Sequence, residues 1–327
     1  MAPMPRPSRP AAPRAVVFAY HNVGVRCLKV LLAQGIDVPL VVTHADDPRE
    51  TRWFDSVAAT AADYALPTIA PDDPNASDVV ARVRALAPDF LFSFYYRRML
   101  GAPLLAVPRR GALNVHGSLL PKYRGRTPVN WAIIHGERET GASLHYMVPK
   151  PDAGDVVDRT AVPILPDDTA REVFDKVTLA AEITLDRALP SLLAGTAART
   201  PQDLAHGSYF GGRKPQDGEI DWMRDAASIH NLVRAVAPPY PGAFTGVAGL
   251  RARILRTRVA DTAAPPTLAP TLAVDDSGLV AHCGGGGRLR VLALELDGRS
   301  ITPVEFTARF GAAPVIVGER IAAGAAR

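Results

Sequence analysis

Three side chains in the sequence could carry out chemistry together. Asn114 and His116 stand two residues apart, and Asp152 follows in a later segment. In an extended segment alternate side chains share a face, so Asn114 and His116 would lie side by side while Val115 points into a sheet. The amide can then hold a developing oxyanion while the imidazole moves a proton. This combination of an amide, an imidazole and a carboxylate indicates acyl transfer, and the spacing of the three residues is not that of metal ligands.

Each of these residues also has an ordinary structural interpretation. A single histidine often satisfies one ring nitrogen with a backbone carbonyl, and asparagine and aspartate are common in turns. His116, however, lies at the end of a predicted strand, where open α/β sheets place their ligand crevice, and Gly117 ends that strand. We therefore predict that His116 and Asn114 are catalytic. The neighbouring His145, close to Ser143, is interpreted as a strand residue because no nucleophile elbow surrounds it.

The elements that must hold these residues indicate an α/β domain. Short apolar runs alternate with stretches of helical periodicity, which predicts a mostly parallel sheet covered by helices. A proline suits the first turn of a helix at Pro128, and Thr169 with Glu172 has capping-box spacing before a long helix. The predicted strands are residues 14–20, 38–43, 90–94, 112–116, 142–147 and 156–164.

Beyond the long helix the pattern changes to short strands at residues 250–259, 279–283 and 289–296, which predicts a small β-rich second domain. The intervening stretch is rich in small and turn-forming residues and is typical of a linker. The predicted organisation is a disordered tail at 1–13, a catalytic domain at 14–195, a linker at 196–207, a second domain at 208–316 and a tail at 317–327.

Length and composition narrow the class of protein. The chain has 327 residues, 47% of them hydrophobic and 21% charged, which describes a soluble globular protein of two domains. No apolar run approaches a membrane span, and the first thirteen residues lack the apolar core of a signal peptide. Cys27 and Cys283 are the two cysteines and belong to no paired motif, which favours a reducing, cytoplasmic location over a zinc or disulfide framework.

The net charge of +4 suits an anionic small ligand and does not require nucleic acid. The densest basic run is typical of a solvated β surface. In a regular strand its first two and last two members would lie on opposite faces, although a bulge would align all four: Arg251, Arg253, Arg256 and Arg258.

Several segments resemble formyltransferases that use 10-formyltetrahydrofolate. Residues 114–121 match the signature Asn-x-His-x-Ser-Leu-Leu-Pro, and an aspartate follows in a later loop as in that family. The likeness is closest to the formyltransferase domains of bifunctional polymyxin-resistance proteins, which formylate UDP-4-amino-4-deoxy-L-arabinose for lipid A modification in lipopolysaccharide. It extends from about residue 14 to about residue 315 and includes residues 17–21, 92–97, 139–141, 152–154 and 230–236.

The resemblance implies a Rossmann-like catalytic domain followed by a smaller C-terminal OB-like β-barrel. It implies an N-formyltransferase with 10-formyltetrahydrofolate as co-substrate and no metal. It makes Asp152 the third catalytic residue, the carboxylate that orients His116. The residues that it implies for folate binding are Arg98, Met99, Leu100, Arg126, Val148, Pro149, Lys150, Pro151 and Asp152.

The sequence indicates the acceptor of the formyl group less directly than it indicates the formyl donor. Methionyl-tRNA formyltransferases share the plan but carry a lysine- and glycine-rich insertion after the second strand, whereas residues 43–63 here are mixed in charge and contain no lysine. This favours a sugar nucleotide over nucleic acid, as do residues 221–222 and 235–244. A non-catalytic folate or sugar-nucleotide binding module is the alternative from another class.

The related bifunctional proteins continue into an NAD-dependent decarboxylase, whereas this sequence stops after one formyltransferase unit. We expect either that the decarboxylase is a separate polypeptide or that the acceptor is a different 4-amino sugar nucleotide. The expected partners are therefore folate and a sugar nucleotide, without membrane insertion, and the oligomeric state is left open.

Overall fold

The computed structural model describes residues 12–46 and 52–319. Residues 1–11 and 320–327, which make up most of the two predicted tails, lie outside the described residues.

The first part of the chain alternates strands and helices, as the periodicity predicted. Its elements are β1 (Arg14–Ala19), α1 (His21–Ala33), β2 (Asp37–Val42), α2 (Val57–Asp63), β3 (Thr68–Ile69), α3 (Ser77–Ala85), β4 (Phe90–Phe94), α4 (Ala102–Leu105), β5 (Gly111–His116), β6 (Arg124–Gly125), α5 (Pro128–Ile134), β7 (Glu139–Tyr146), β8 (Val156–Pro163) and α6 (Ala170–Ala194).

The later part is mostly β-structure, with short 3-10 turns at Leu204–His206 and Pro215–Gly218. Its elements are β9 (Tyr209–Phe210), α7 (Ala226–Ala235), β10 (Ala243–Val247), β11 (Leu250–Asp261), β12 (Thr271–Asp275), β13 (Gly278–His282), β14 (Arg288–Leu296), β15 (Arg299–Ser300), α8 (Pro303–Phe310) and β16 (Val315–Ile316).

The first sheet has the strand order β3-β2-β1-β4-β5-β7-β8. The pairs from β3 to β5 are parallel, and β7 runs antiparallel to β5. All five residues of β4 are buried, as are the last five of β1. Strands of a parallel sheet are covered on both faces, which explains why these strands are continuously buried. The prediction of a mostly parallel α/β sheet is confirmed.

Helices α3 and α4 cover part of this sheet. One buried cluster contains Leu104 of α4 and three valines of α3, Val79, Val80 and Val83. The spacing of the three valines places them on a single face of α3. The sheet residues of the cluster are Val16, Phe18, Leu40, Val42, Leu91 and Ala112.

Helix starts follow their sequence signals. The helix predicted near Pro128 begins there as α5. The Thr169 backbone N–H donates to the Glu172 carboxylate at 2.7 Å, and the Glu172 N–H donates back to Thr169 Oγ1 at 3.4 Å, so the predicted capping box is formed at the start of α6.

The second sheet is antiparallel, in the order β10-β11-β14-β13-β12-β16, with β15 paired to β14. Val247 at the end of β10 bridges Val317 beyond β16, so the two edges of the sheet meet and the barrel is nearly closed. Trp222, Ile229 and Phe306 are buried in its core. The predicted OB-like barrel is confirmed. Val317 is the first residue of the predicted C-terminal tail, and only 4% of its surface is exposed.

Strand β11 contains the bulge that the sequence left open as an alternative. Its register shifts between Ile254 and Arg256 and again between Arg256 and Thr257. The buried positions are Ala252, Ile254 and Thr257, so their spacing changes from two to three. Arg251 and Arg253 flank the buried Ala252, and Arg256 and Arg258 flank the buried Thr257, so alternation places all four arginines on the face away from the core.

Residue contacts divide the chain into two compact units. The first takes its described residues from 1–124, 141–161 and 177–208, and the second from 125–140, 162–176 and 209–327. All of residues 196–207 belong to the first unit. The predicted domain boundaries stay predictions.

Two features of the composition reappear in the structure. Cys27 and Cys283 are both buried and free. Of the helices in the described ranges, none combines the length and the apolar character needed to cross a membrane.

Candidate active site

The carboxyl end of β5 presents Asn114 and His116 within the first unit. In the antiparallel pairing with β7, Asn114 lies opposite His145 and His116 lies opposite Ser143. Gly117 follows directly, and a Cβ atom there would lie 1.9 Å from the hydroxyl oxygen of Tyr95, so a larger residue would displace the Tyr95 side chain. The strand therefore ends where the sequence predicted, and His116 keeps 7% of its surface exposed.

The imidazole of His116 is held by a backbone carbonyl. Its Nε2 lies 2.8 Å from the carbonyl oxygen of Tyr123. Because a carbonyl can only accept, Nε2–H donates this bond, and Nδ1 is the basic nitrogen of the neutral ring.

Asp152 faces that basic nitrogen. Its Oδ1 lies 3.6 Å from Nδ1 of His116, which is within ion-pair range but longer than a hydrogen bond. The structure thus brings the predicted carboxylate to the predicted histidine. The direct hydrogen bond that orients the ring comes from Tyr123, a residue without a sequence signal for this role, and the carboxylate is placed to stabilise the protonated ring.

His145 is a member of the cluster that sequence reasoning missed. Its Nδ1 lies 2.9 Å from the carbonyl oxygen of Tyr146, so Nδ1 carries the hydrogen and Nε2 accepts. The Asn114 side chain donates from Nδ2 to that Nε2 at 3.1 Å, and the same Nε2 lies 3.6 Å from Asp152. His145 therefore fixes which end of the Asn114 amide is the donor. The signal was its position opposite Asn114, which required knowledge of the β5–β7 pairing.

Three non-glycine residues with a left-handed backbone lie in the loops around this cluster. Tyr95, Tyr123 and Asp152 have φ values of 56°, 56° and 49°, in the left-handed region. Each such non-glycine residue costs about 1–3 kcal/mol, and residues of this kind cluster at functional sites. The loop of Asp152 also requires glycine at position 154, because a Cβ atom there would lie 2.0 Å from the carbonyl oxygen of Tyr146.

The residues predicted to bind folate divide into groups. Met99 and Val148 are apolar yet 57% and 39% exposed, as expected of walls that cover a flat ring. Leu100 is buried in the core cluster beneath. Arg98, Pro149 and Lys150 are exposed and Pro151 is half-buried, all in the first unit, whereas Arg126 belongs to the second unit.

Asn75 supports this loop and was not found from the sequence. Its side chain donates to the carbonyl oxygen of Met99 at 3.0 Å and accepts from the N–H of Gly101 at 2.6 Å. The exposed side chain of Met99 therefore stands on a loop that Asn75 fixes on both sides of Leu100. No three His, Cys, Asp or Glu side chains of the described ranges form a group that could hold a metal ion.

His44, just beyond β2, is a neutral acceptor. Burial, with smaller contributions from Arg97 and Arg98, lowers its pKa from 6.5 to about 4. Its Nε2 accepts from the backbone N–H of Arg97 at 3.1 Å, and its ring stacks on Tyr96 with the centroids 4.2 Å apart. It consequently carries no charge near neutral pH and supports the loop after β4.

Most of the chain matches sequence models of known protein families. The sequence model of the formyl transferase family matches residues 16–189, more than half of the chain, and that of the formyl transferase C-terminal domain matches residues 213–311. The chain belongs to the formyl transferase family. The predicted membership among the 10-formyltetrahydrofolate-dependent formyltransferases, and with it the prediction of an enzyme, is confirmed.

Solved structures share the fold of this formyltransferase. WlaRD, a sugar 3N-formyl transferase in the presence of dTDP and 5-N-formyl-THF, matches with TM-score 0.64 and 19% identity over 85% of this chain and 96% of that chain. An N-formyltransferase from Helicobacter canadensis with folinic acid and dTDP-3-aminofucose matches with TM-score 0.62 and 18% identity, over 85% and 98%. A 4-N formyltransferase from Francisella tularensis gives TM-score 0.57 and 18%, over 71% and 91%.

Proposed function

We propose that this formyltransferase moves the formyl group of 10-formyltetrahydrofolate to the 4-amino group of a nucleotide-linked amino sugar, and that the acceptor is UDP-4-amino-4-deoxy-L-arabinose. The observation that carries the proposal is the placement of Asp152 3.6 Å from the basic nitrogen of His116, beside Asn114, in a chain of the formyl transferase family. Structural relatives that are N-formyltransferases with folates and with dTDP or dTDP-3-aminofucose support a small-molecule acceptor.

Asn114, His116 and Asp152 have separate roles in this proposal. 10-Formyltetrahydrofolate supplies an activated formyl carbon when bound. Asn114 gives one amide hydrogen to His145 and is assigned to donate the other to the oxygen that becomes negative during attack, a donor typically worth about 3 kcal/mol.

His116 takes the proton of the attacking amine at Nδ1 and passes it to the leaving folate nitrogen, so that no net charge is left on the enzyme. Asp152 stabilises the imidazolium between these two transfers. His116 needs no ring rotation while it holds the proton, because Tyr123 accepts from Nε2 in both protonation states.

The remaining assignments follow from the same proposal. The loop residues Arg98, Met99 and Leu100, with Arg126 and residues 148–152, are assigned to folate. Formylation of the proposed acceptor would make this a step of lipid A modification and polymyxin resistance, carried out in the cytoplasm. A decarboxylase on a separate polypeptide would then supply the acceptor's precursor.

The experiment is a side-by-side acceptor test. Tetrahydrofolate release is followed with UDP-4-amino-4-deoxy-L-arabinose, with dTDP-linked 3-amino and 4-amino sugars, and with initiator methionyl-tRNA, using His116→Ala as the inactive control. Rapid turnover of the UDP-linked sugar supports the proposal. Turnover of methionyl-tRNA alone would identify a methionyl-tRNA formyltransferase, and folate binding without turnover of any acceptor would identify a binding module.

A further inference from the structure

We infer that residues 200–208, here called the strap, position both His116 and Asp152, with Gln202 and Ser208 as the positioning residues. From sequence almost all of this segment is a predicted linker. The inference rests on the proposed function, because the two side chains that the strap holds are those proposed to be catalytic. Every contact used below lies within the first compact unit.

The beginning of the strap holds the loop of Asp152. Thr200 and Val156 exchange backbone hydrogen bonds of 2.8 and 2.9 Å, which extends the start of β8 by one bridge. The side-chain amide of Gln202 then donates from Nε2 to two carbonyl oxygens of the loop, that of Asp152 at 3.0 Å and that of Gly154 at 2.6 Å.

These two bonds act on a strained residue. Asp152 has a φ of 49°, a conformation that costs a non-glycine residue about 1–3 kcal/mol and persists only where neighbouring structure imposes it. Gln202 bonds the carbonyl of Asp152 itself and that of Gly154, and so fixes the peptide planes that aim the carboxylate. Without these donors the loop would be free to relax and move Asp152 away from His116.

The end of the strap holds the peptide that orients His116. Ser208 accepts from the N–H of Tyr123 through Oγ at 2.8 Å and from the N–H of Arg124 through its carbonyl oxygen at 3.0 Å. Its own N–H donates to Pro121 at 3.2 Å. The carbonyl oxygen of Tyr123 in turn accepts from His116, so Ser208 is connected to the catalytic ring through a single residue.

Close packing accompanies these bonds. A Cβ atom on Gly207 would lie 2.6 Å from the carbonyl oxygen of Pro121, so the strap approaches the loop before Tyr123 more closely than any other residue type allows. A segment that only connects two domains would need none of these contacts. The strap thus holds both the loop of Asp152 and the peptide that orients His116, and so sets the distance between these two side chains.

The first test changes Gln202 to Glu. This substitution keeps the size of the side chain, removes both donors and places a carboxylate against two carbonyl oxygens. We expect kcat to fall by about tenfold to a hundredfold, the cost of a misplacement of about 1 Å at a catalytic group. The matched control is Gln216→Glu, the same chemical change on an exposed side chain, which should leave kcat unchanged. If Gln202→Glu does not fold, Gln202→Met, which also lacks donors, replaces it.

A double-mutant cycle separates positioning from general destabilisation. In an Asp152→Asn background Gln202→Glu should reduce kcat by no more than about twofold, because the carboxylate that it aims is gone. Ser208→Ala acts through His116 and should keep its full effect in the same background. An equal loss from Gln202→Glu with and without Asp152 would overturn the assignment of Gln202.

A second readout does not depend on formyl transfer. In the full-length protein with ¹⁵N-labelled histidine, Ser208→Ala should shift the His116 Nε2 resonance, whereas Gln216→Glu should not. If the wild type formylates no acceptor while this resonance moves as expected, the proposed function fails and the strap stands. Unchanged resonances together with unchanged kcat in both strap variants would refute the strap.

Discussion

Replacing Asp152 by asparagine removes a charge while it preserves shape. The carboxylate oxygen lies 3.6 Å from Nδ1 of His116, and the two side chains are 16% and 8% exposed, so solvent screens the pair only partly. With an effective dielectric constant of about 20, the attraction between a protonated imidazole and this carboxylate is about 4–5 kcal/mol. If the transition state carries the proton on His116, the loss of this attraction in Asp152→Asn lowers kcat about a thousandfold.

The assay measures initial rates of tetrahydrofolate release at saturating folate and acceptor. The control is Asp155→Asn, three residues further along the loop, which makes the same change in net charge. Asp155 is 39% exposed and lies 3.7 Å from Arg199, so we expect its variant to stay within twofold of the wild type. A kcat for Asp152→Asn within tenfold of the wild type would refute the electrostatic role, as would an equal fall in the control.

Two further predictions follow from the histidines around the site. His145→Phe keeps a ring but removes the acceptor of Asn114, so kcat should fall about fivefold, the value of one neutral hydrogen bond of about 1 kcal/mol; the fall should disappear in an Asn114→Ala background, and a full effect there would contradict the assigned contact. The pKa of His44 is lowered from 6.5 to about 4, so between these values the unfolded state binds more protons and stability is lost as the pH falls. Denaturant unfolding at several pH values should therefore show a shallower acid dependence in His44→Gln than in the wild type, and equal slopes would count against this account.

Patterns that depend on neighbours in the sequence predicted the fold well. The strand at residues 112–116 became β5, and it ends at His116, directly before Gly117, as the sequence predicted. The start of α6 was predicted correctly because a capping box is complete within four residues. In β11 the alternation of side chains could not reveal the bulge, since the register shifts depend on the partner strand.

The candidate site was predictable in its chemistry and only partly in its contacts. Asn114 and His116 have a local spacing that carries meaning, and the family resemblance added Asp152. His145 and the strap had no such signal, because their roles arise from pairings between residues 31 to 85 positions apart. Hydrogen bonds to backbone carbonyls also place little demand on residue type at the accepting end, so Tyr123 leaves no trace in the pattern.

The interleaving of the two compact units bears on how this protein can be recombined with its relatives. Residues 125–140 and 162–176 group with the C-terminal barrel although they precede residues 177–208, which complete the first unit. In a chimera with one crossover within residues 196–207, each of the two units would be built from segments of both parents. Exchanging either unit intact between relatives would therefore call for grafting three separate stretches of chain at once.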